Sequence, residues 1–176
     1  IKEFQQVIKT NREYARAHNY LGLAYLQQKN YSTAKNSLLE SIKINPKYAK
    51  AHNNLGVLYE EVGETAKAIE SYQMAHKVDP ENPGSLFNLG LAYDVLEDGK
   101  NSVRYMVLAK KTHERKSGQE GIGRISDKLD HLWAKYADNT ENESVASLDT
   151  NITGDAGSPA NTYKSQTSIT SSASSF

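Results

Sequence analysis

Apolar positions in this chain recur at helical spacing, and the whole pattern then recurs every 34 residues. Leu21-Gly22, Leu55-Gly56 and Leu89-Gly90 are each followed by a tyrosine, at Tyr25, Tyr59 and Tyr93. The register runs on through Ala34, Ala68 and Ser102, through Leu38, Tyr72 and Met106, and through Pro46 and Pro80, with Glu114 where a third proline would fall. Aligning residues 15–48 with 49–82 gives eleven identities over 34 positions, where average composition would give roughly two. A period of this size predicts stacked helical hairpins rather than one globular core.

The spacing predicts first helices over 16–28, 50–62 and 84–96 and second helices over about 32–44, 65–78 and 100–115. Asn45-Pro46 and Asp79-Pro80 end the second helices, because proline disfavours helical geometry in the residue before it. Gly63 and Gly99 are expected to supply intervening turns. Glycine costs up to about 1 kcal/mol inside a helix. Its recurrence at 22, 56 and 90 therefore implies a close crossing by the partner helix, as do small residues at Ala34, Ser41, Ala68, Ala75 and Ala109.

The flanks extend the pattern. Ile1, Phe4, Val7 and Ile8 continue the register backwards, so residues 1–14 read as the second helix of a truncated unit, and an upstream repeat is expected. Units follow over 15–48, 49–82 and 83–116, the third of them degenerate. Beyond Ser117-Gly118, the stripe Ile122, Ile125, Leu129, Leu132, Trp133 and Tyr136 predicts a capping helix within 117–137, with Trp133 as a packing anchor. From Ala137 onward 15 of 40 residues are Ser or Thr. Too few large apolar side chains remain there to offset the entropy of ordering, so 138–176 is expected to be a disordered tail.

The Leu-Gly-x-x-Tyr core, the following alanine, the large residue and the terminal proline resemble the tetratricopeptide repeat family. The resemblance covers residues 1 to about 116, with His18, His52 and Leu86 at the usual tryptophan position. It implies an all-α fold: a right-handed α-solenoid of tetratricopeptide helix-turn-helix repeats with a C-terminal capping helix. Both histidines repeat with the structural period and read as packing residues.

Charge excludes some partners. Residues 1–112 carry +3, 113–136 carry +1 and 137–176 carry −4, balancing to zero. No segment has the basic stripe that nucleic acid demands, and no apolar run reaches the roughly 20 residues needed to span a bilayer. There is no cysteine, which removes disulfides, thiolate metal ligands and thiol catalysis together.

Catalytic motifs are missing too. The chain has no Gly-x-Ser-x-Gly elbow and no phosphate-binding Gly-x-x-x-x-Gly-Lys loop, and the cluster Gly118, Gly121, Gly123 reads as a helix boundary. His113-Glu114 lacks the second histidine of a zinc-protease helix, and His76 and His131 have no ligand partners at helical spacing, so neither metal nor cofactor is expected. The carboxylate pairs Glu60-Glu61 and Glu97-Asp98 read as solvated helix ends. Asn142-Glu143-Ser144 and Asn151-Ile152-Thr153 match the glycosylation acceptor pattern in the hydroxyl-rich tail, which offers phosphorylation sites equally well.

Function is therefore sought on the concave face that the first helices line. By resemblance to tetratricopeptide domains, the partner-binding positions are Arg16, Asn19, Tyr20, Leu23 and Gln27; Lys50, Asn53, Asn54, Val57 and Glu61; and Phe87, Asn88, Leu91, Asp94 and Val95. Asn54 and Asn88 share one position of the unit, which is similar to the asparagine ladder with which the repeats of O-GlcNAc transferases grip a peptide backbone. A carboxamide suits that task because it both donates and accepts. Tyr20 interrupts the ladder in the first complete unit. Leu23, Val57 and Leu91 form an aliphatic row one turn along, flanked by Tyr20 and Phe87.

Tetratricopeptide domains of chaperone cofactors clamp a terminal carboxylate with lysine and arginine. The matching positions here are Asn19, Leu23, Gly84 and Asn88, and only Asn54 is retained, which disfavours a chaperone-tail receptor. The reading is a non-catalytic scaffold that binds a protein or peptide partner, without nucleic acid, cofactor or membrane insertion. Two other readings are the substrate-selecting repeats of a larger, glycosyltransferase-like enzyme and a bacterial envelope or pilus assembly lipoprotein.

Overall fold

The structure, a computed structural model, describes residues 1–11 and 14–137. The expected tail over 138–176 and both glycosylation patterns lie outside the described residues. Among those residues the chain forms eight helices and no strand: α1 (Lys2–Thr10), α2 (Ala15–Gln27), α3 (Tyr31–Ile44), α4 (Ala49–Glu61), α5 (Thr65–Val78), α6 (Pro83–Val95), α7 (Gly99–Ser117) and α8 (Gly123–Tyr136). The pairs α2/α3, α4/α5 and α6/α7 are hairpins, and each second helix also packs on the next first helix, giving an α-solenoid.

The core is divided to match. Leu26, Ala34 and Leu38 of the first hairpin pack with Leu55 and Leu58 of the second. Ala68, Ile69 and Tyr72 pack with Leu89, Ala92 and Tyr93 of the third. Leu86, Val103, Met106 and Ala109 then pack with Ile125, Leu129, Leu132 and Tyr136 of α8, with Trp133 at the margin. Each cluster thus joins one hairpin to its neighbour, so no hairpin buries its apolar face alone.

The glycine register has a steric cause. A Cβ on Gly22 would lie 2.7 Å from Leu38 Cγ, one on Gly56 would overlap the Tyr72 ring, and one on Gly90 would lie 3.0 Å from Met106 Cε. Leu38, Tyr72 and Met106 are fully buried, each sixteen residues after its glycine.

Helix ends differ from expectation in two places. The α2–α3, α4–α5 and α6–α7 turns each hold one residue at positive φ: Lys29 (57°), Gly63 (77°) and Glu97 (57°). These share one position of the period, so the third turn is made by Glu97 and not by Gly99. Gly99 instead begins α7, buried where a side chain would meet the Tyr136 ring of α8. The second difference is that α7 runs to Ser117. Glu114, unlike the prolines at 46 and 80, permits helical geometry before it, and the helix stops at Gly118 with φ 66°.

Side-chain caps begin three of the helices, α3, α6 and α7. Asn30 accepts from the Thr33 amide at 3.3 Å, and Asp98 accepts from the Asn101 amide at 3.1 Å. Asp98 is thus a cap and not merely a solvated carboxylate. Glu60 is exposed as expected, yet one carboxylate oxygen accepts from the Tyr72 hydroxyl at 2.7 Å, and partial desolvation on that side raises its carboxyl above the usual range. Glu61 stays exposed and accepts from Tyr31 at 3.4 Å.

Candidate functional site

The inner surface of the solenoid is laid down by α2, α4 and α6, and one relation between side chains repeats along it. Asn54 Nδ2 donates to Asn19 Oδ1 at 2.9 Å, and Asn88 Nδ2 donates to Asn53 Oδ1 at 3.1 Å. In each case a carboxamide reaches back to the residue 35 positions earlier, at the neighbouring position of the preceding hairpin. The amides form two separate pairs across neighbouring first helices rather than a set of free rungs. Asn19 is almost fully buried in this contact, at 1% exposure, whereas Asn53, Asn54 and Asn88 are half-buried. One bond uses a single donor of Asn54 and leaves its second N–H and its carbonyl oxygen available.

Tyr20 stands where the next amide of the series would be. Its ring stacks on Phe4 of α1, with centroids 5.5 Å apart and planes at 22°. Beside it lies an open cleft of about 240 Å³ lined by Asn19, Tyr20, Leu23, Lys50, Asn53, Asn54 and Asn82. The structure therefore gathers six of the sequence-derived positions into one recess between α2 and α4. Asn82 joins them from the turn before α6, where its carbonyl oxygen accepts from the Gly84 amide at 3.0 Å.

Arg16 and Lys50 occupy the same position of successive hairpins, and both are exposed. Arg16 lies among the hydroxyls of Tyr14, Tyr20 and Tyr48, with Tyr14 the strongest influence, and these hold its pKa above the usual value. Burial is the main cause that raises the Tyr48 hydroxyl. Tyr14, Tyr48 and Asn82 immediately precede α2, α4 and α6. They share one position of the 34-residue period, so the repeat that exposed the helices could have flagged them.

The aliphatic row is less available than its spacing suggested. Leu23 packs against the first cluster, Val57 against the first and second, and Leu91 against the third, each remaining half-buried. In the third hairpin α8 comes close to several expected groove positions. Phe87 and Leu91 pack on the cluster that contains α8, and the Arg124 guanidinium lies 5.4 Å from the Phe87 ring centre.

Asp94 is the centre of this contact. Its carboxylate accepts from Lys128 at 2.9 Å, Lys135 at 2.6 Å and the Tyr136 hydroxyl at 2.9 Å, all from α8. Burial alone would raise the carboxyl, but the bonds from Lys135, Lys128 and Tyr136 outweigh it and bring it down to about 2. Gln27, Glu61 and Val95, at the far ends of the first helices, are exposed. No group of His, Asp and Glu fit to hold a metal is found among the described residues, and no helix among them is long and apolar enough to cross a membrane.

The tetratricopeptide repeat model matches residues 49–82, and a second TPR repeat model matches residues 22–63. Residues 22–82 thus match tetratricopeptide repeat models. No curated protein matches the chain. Among solved structures of tetratricopeptide domains, the TPR2B-domain:pHsp70 complex of yeast Sti1 is similar at 16% identity and a TM-score of 0.63, over 71% of this chain and 97% of that one. PcrH in complex with the chaperone binding region of PopD is similar at 17% identity and a TM-score of 0.64, over 68% and 91%. The first TPR of Spaghetti (RPAP3) bound to the HSP90 peptide SRMEEVD is similar at 14% identity and a TM-score of 0.63, over 70% and 93%. At these identities the likeness is one of fold.

Proposed function

We propose that this tetratricopeptide domain is a non-catalytic interaction scaffold that holds a peptide segment of a partner protein in the cleft between α2 and α4. The observation that carries this reading is the recess that joins Asn19, Tyr20, Leu23, Lys50, Asn53, Asn54 and Asn82. It combines an apolar floor, amide groups with unused bonding capacity and an aromatic wall, the mixture by which an extended chain is held through both backbone and side chains. Similar domains in complex with pHsp70, a PopD region and an HSP90 peptide lend support by analogy of fold. Binding centres on the first two hairpins, because α8 engages Phe87, Leu91 and Asp94 of the third.

A photo-crosslinking amino acid at position 23 or 54, compared with one at the exposed convex Leu39, tests this in the host cell. Expected are partner peptides attached from 23 and 54 and lost on Tyr20→Ala. Equal capture of the same peptides from position 39 would overturn the assignment.

A further inference from the structure

The charges around the cleft are not balanced. Lys50 lines it and Arg16 stands one hairpin away at the same repeat position, both exposed. Every other lining residue is neutral, and the first turns of α2, α4 and α6 contain no acidic residue. Among the described residues neither cation forms an ion pair; Arg16 has tyrosine hydroxyls around it instead. The carboxylates of the first helices lie at the opposite ends, where Glu60 accepts from Tyr72 and Asp94 from α8. One edge of the groove is thus cationic and uncompensated, while at the other Glu60 and Asp94 are already bonded.

We infer that the peptide taken by this cleft is acidic, with one Asp or Glu side chain held between Arg16 and Lys50 and the adjoining backbone laid across Asn53 and Asn54. This deepens the reading above and rests on it. Packed helices stand about 8–10 Å apart, so long side chains from α2 and α4 can converge on one carboxylate. The tyrosine hydroxyls can donate to the same group, and charge-assisted bonds of this kind are the stronger ones. The anion proposed is a side chain of the peptide, and peptides with blocked ends separate it from a terminal carboxylate.

Positional-scanning mixtures of N-acetylated, C-amidated heptapeptides, which carry no terminal carboxylate, supply the test on the full chain. Expected is a preference of about ten-fold for Asp or Glu over Asn or Gln at one position, weakening with salt. Lys50→Gln should reduce that preference several-fold, and Arg16→Gln should do the same while the circular dichroism is unchanged. Binding with equal affinity for acidic and neutral peptides would overturn this inference and leave the scaffold reading standing. Failure of every mixture to bind would overturn both.

Discussion

The ring of Tyr72 occupies the space that a Cβ on Gly56 would require, so the second hairpin closes at a distance only glycine permits. At Gly90 the nearest atom is Met106 Cε, 3.0 Å away at the end of a flexible side chain, with the Ser102 carbonyl oxygen at 3.2 Å and the Met106 amide nitrogen at 3.3 Å, a milder crowding than the Tyr72 ring imposes. Two effects compete when either becomes alanine: a gain in helix propensity of about 1 kcal/mol and overpacking of about 1–3 kcal/mol. Urea denaturation should show Gly56→Ala destabilised by about 1–2 kcal/mol and Gly90→Ala by less, within about 1 kcal/mol of the parent. Equal losses at the two sites would mean that the rigidity of the neighbour does not decide the outcome.

Lys29 and Glu97 hold the left-handed conformation that Gly63 adopts at the same turn of the second hairpin. A side chain there is strained by about 1 kcal/mol, only partly offset by its smaller loss of backbone entropy. Lys29→Gly and Glu97→Gly should therefore each raise stability by about 0.5 kcal/mol, and Gly63→Ala should lower it by about 1 kcal/mol. Thermal unfolding of the three variants checks the set.

The α8 docking should fail in acid. Asp94 has its carboxyl lowered to about 2 by the bonds that α8 donates, against a little under 4 for a free aspartate. A lowered folded value means stability that is complete above about pH 5 and is lost as pH falls through 4 towards 2. Trp133, the single tryptophan, packs at the edge of this contact and reports on it. Its emission should shift to the red across that interval, and in Asp94→Asn the shift should begin from an already loosened state. An unchanged pH profile in Asp94→Asn would assign the acid transition to other groups.

Asn19 and Asn54 should be coupled. Asn19→Ala leaves a half-buried amide of Asn54 without its acceptor, at about 1–2 kcal/mol. Asn54→Ala leaves the buried oxygen of Asn19 in the same position. A double-mutant cycle should return about 0.5–1.5 kcal/mol of interaction, whereas strict additivity would mean that the bond does not form in solution.

The hairpins were legible because their helices repeat: predicted and observed ends of the first helices differ by one residue, as for 16–28 against Ala15–Gln27. Gly22, Gly56 and Gly90 could likewise be read as contact points before any partner atom was known. What escaped was set between units. Nothing in the local pattern of Asn19 distinguishes a groove residue from one buried beneath the next helix, and its fate depends on Asn54, 35 positions away. Asp94 looks open from sequence for the same reason, since its partners come from α8, whose placement follows an aperiodic turn over 118–122. Gly99 reads from sequence as a turn residue because glycine has two uses, left-handed backbone and close approach, and only the Tyr136 ring shows which applies.

Shared clusters join every neighbouring pair of units from α2 to α8, but α1 buries none of its own residues and touches the stack through contacts such as Phe4 with Tyr20. Loss of order should therefore advance as a front that starts from α1 and is delayed at each hairpin boundary. Amide hydrogens of α1 would exchange first and those of α4 to α6 last. Because Tyr20 is both the ring on which α1 rests and a wall of the cleft, an occupant of the cleft would also set where that front begins.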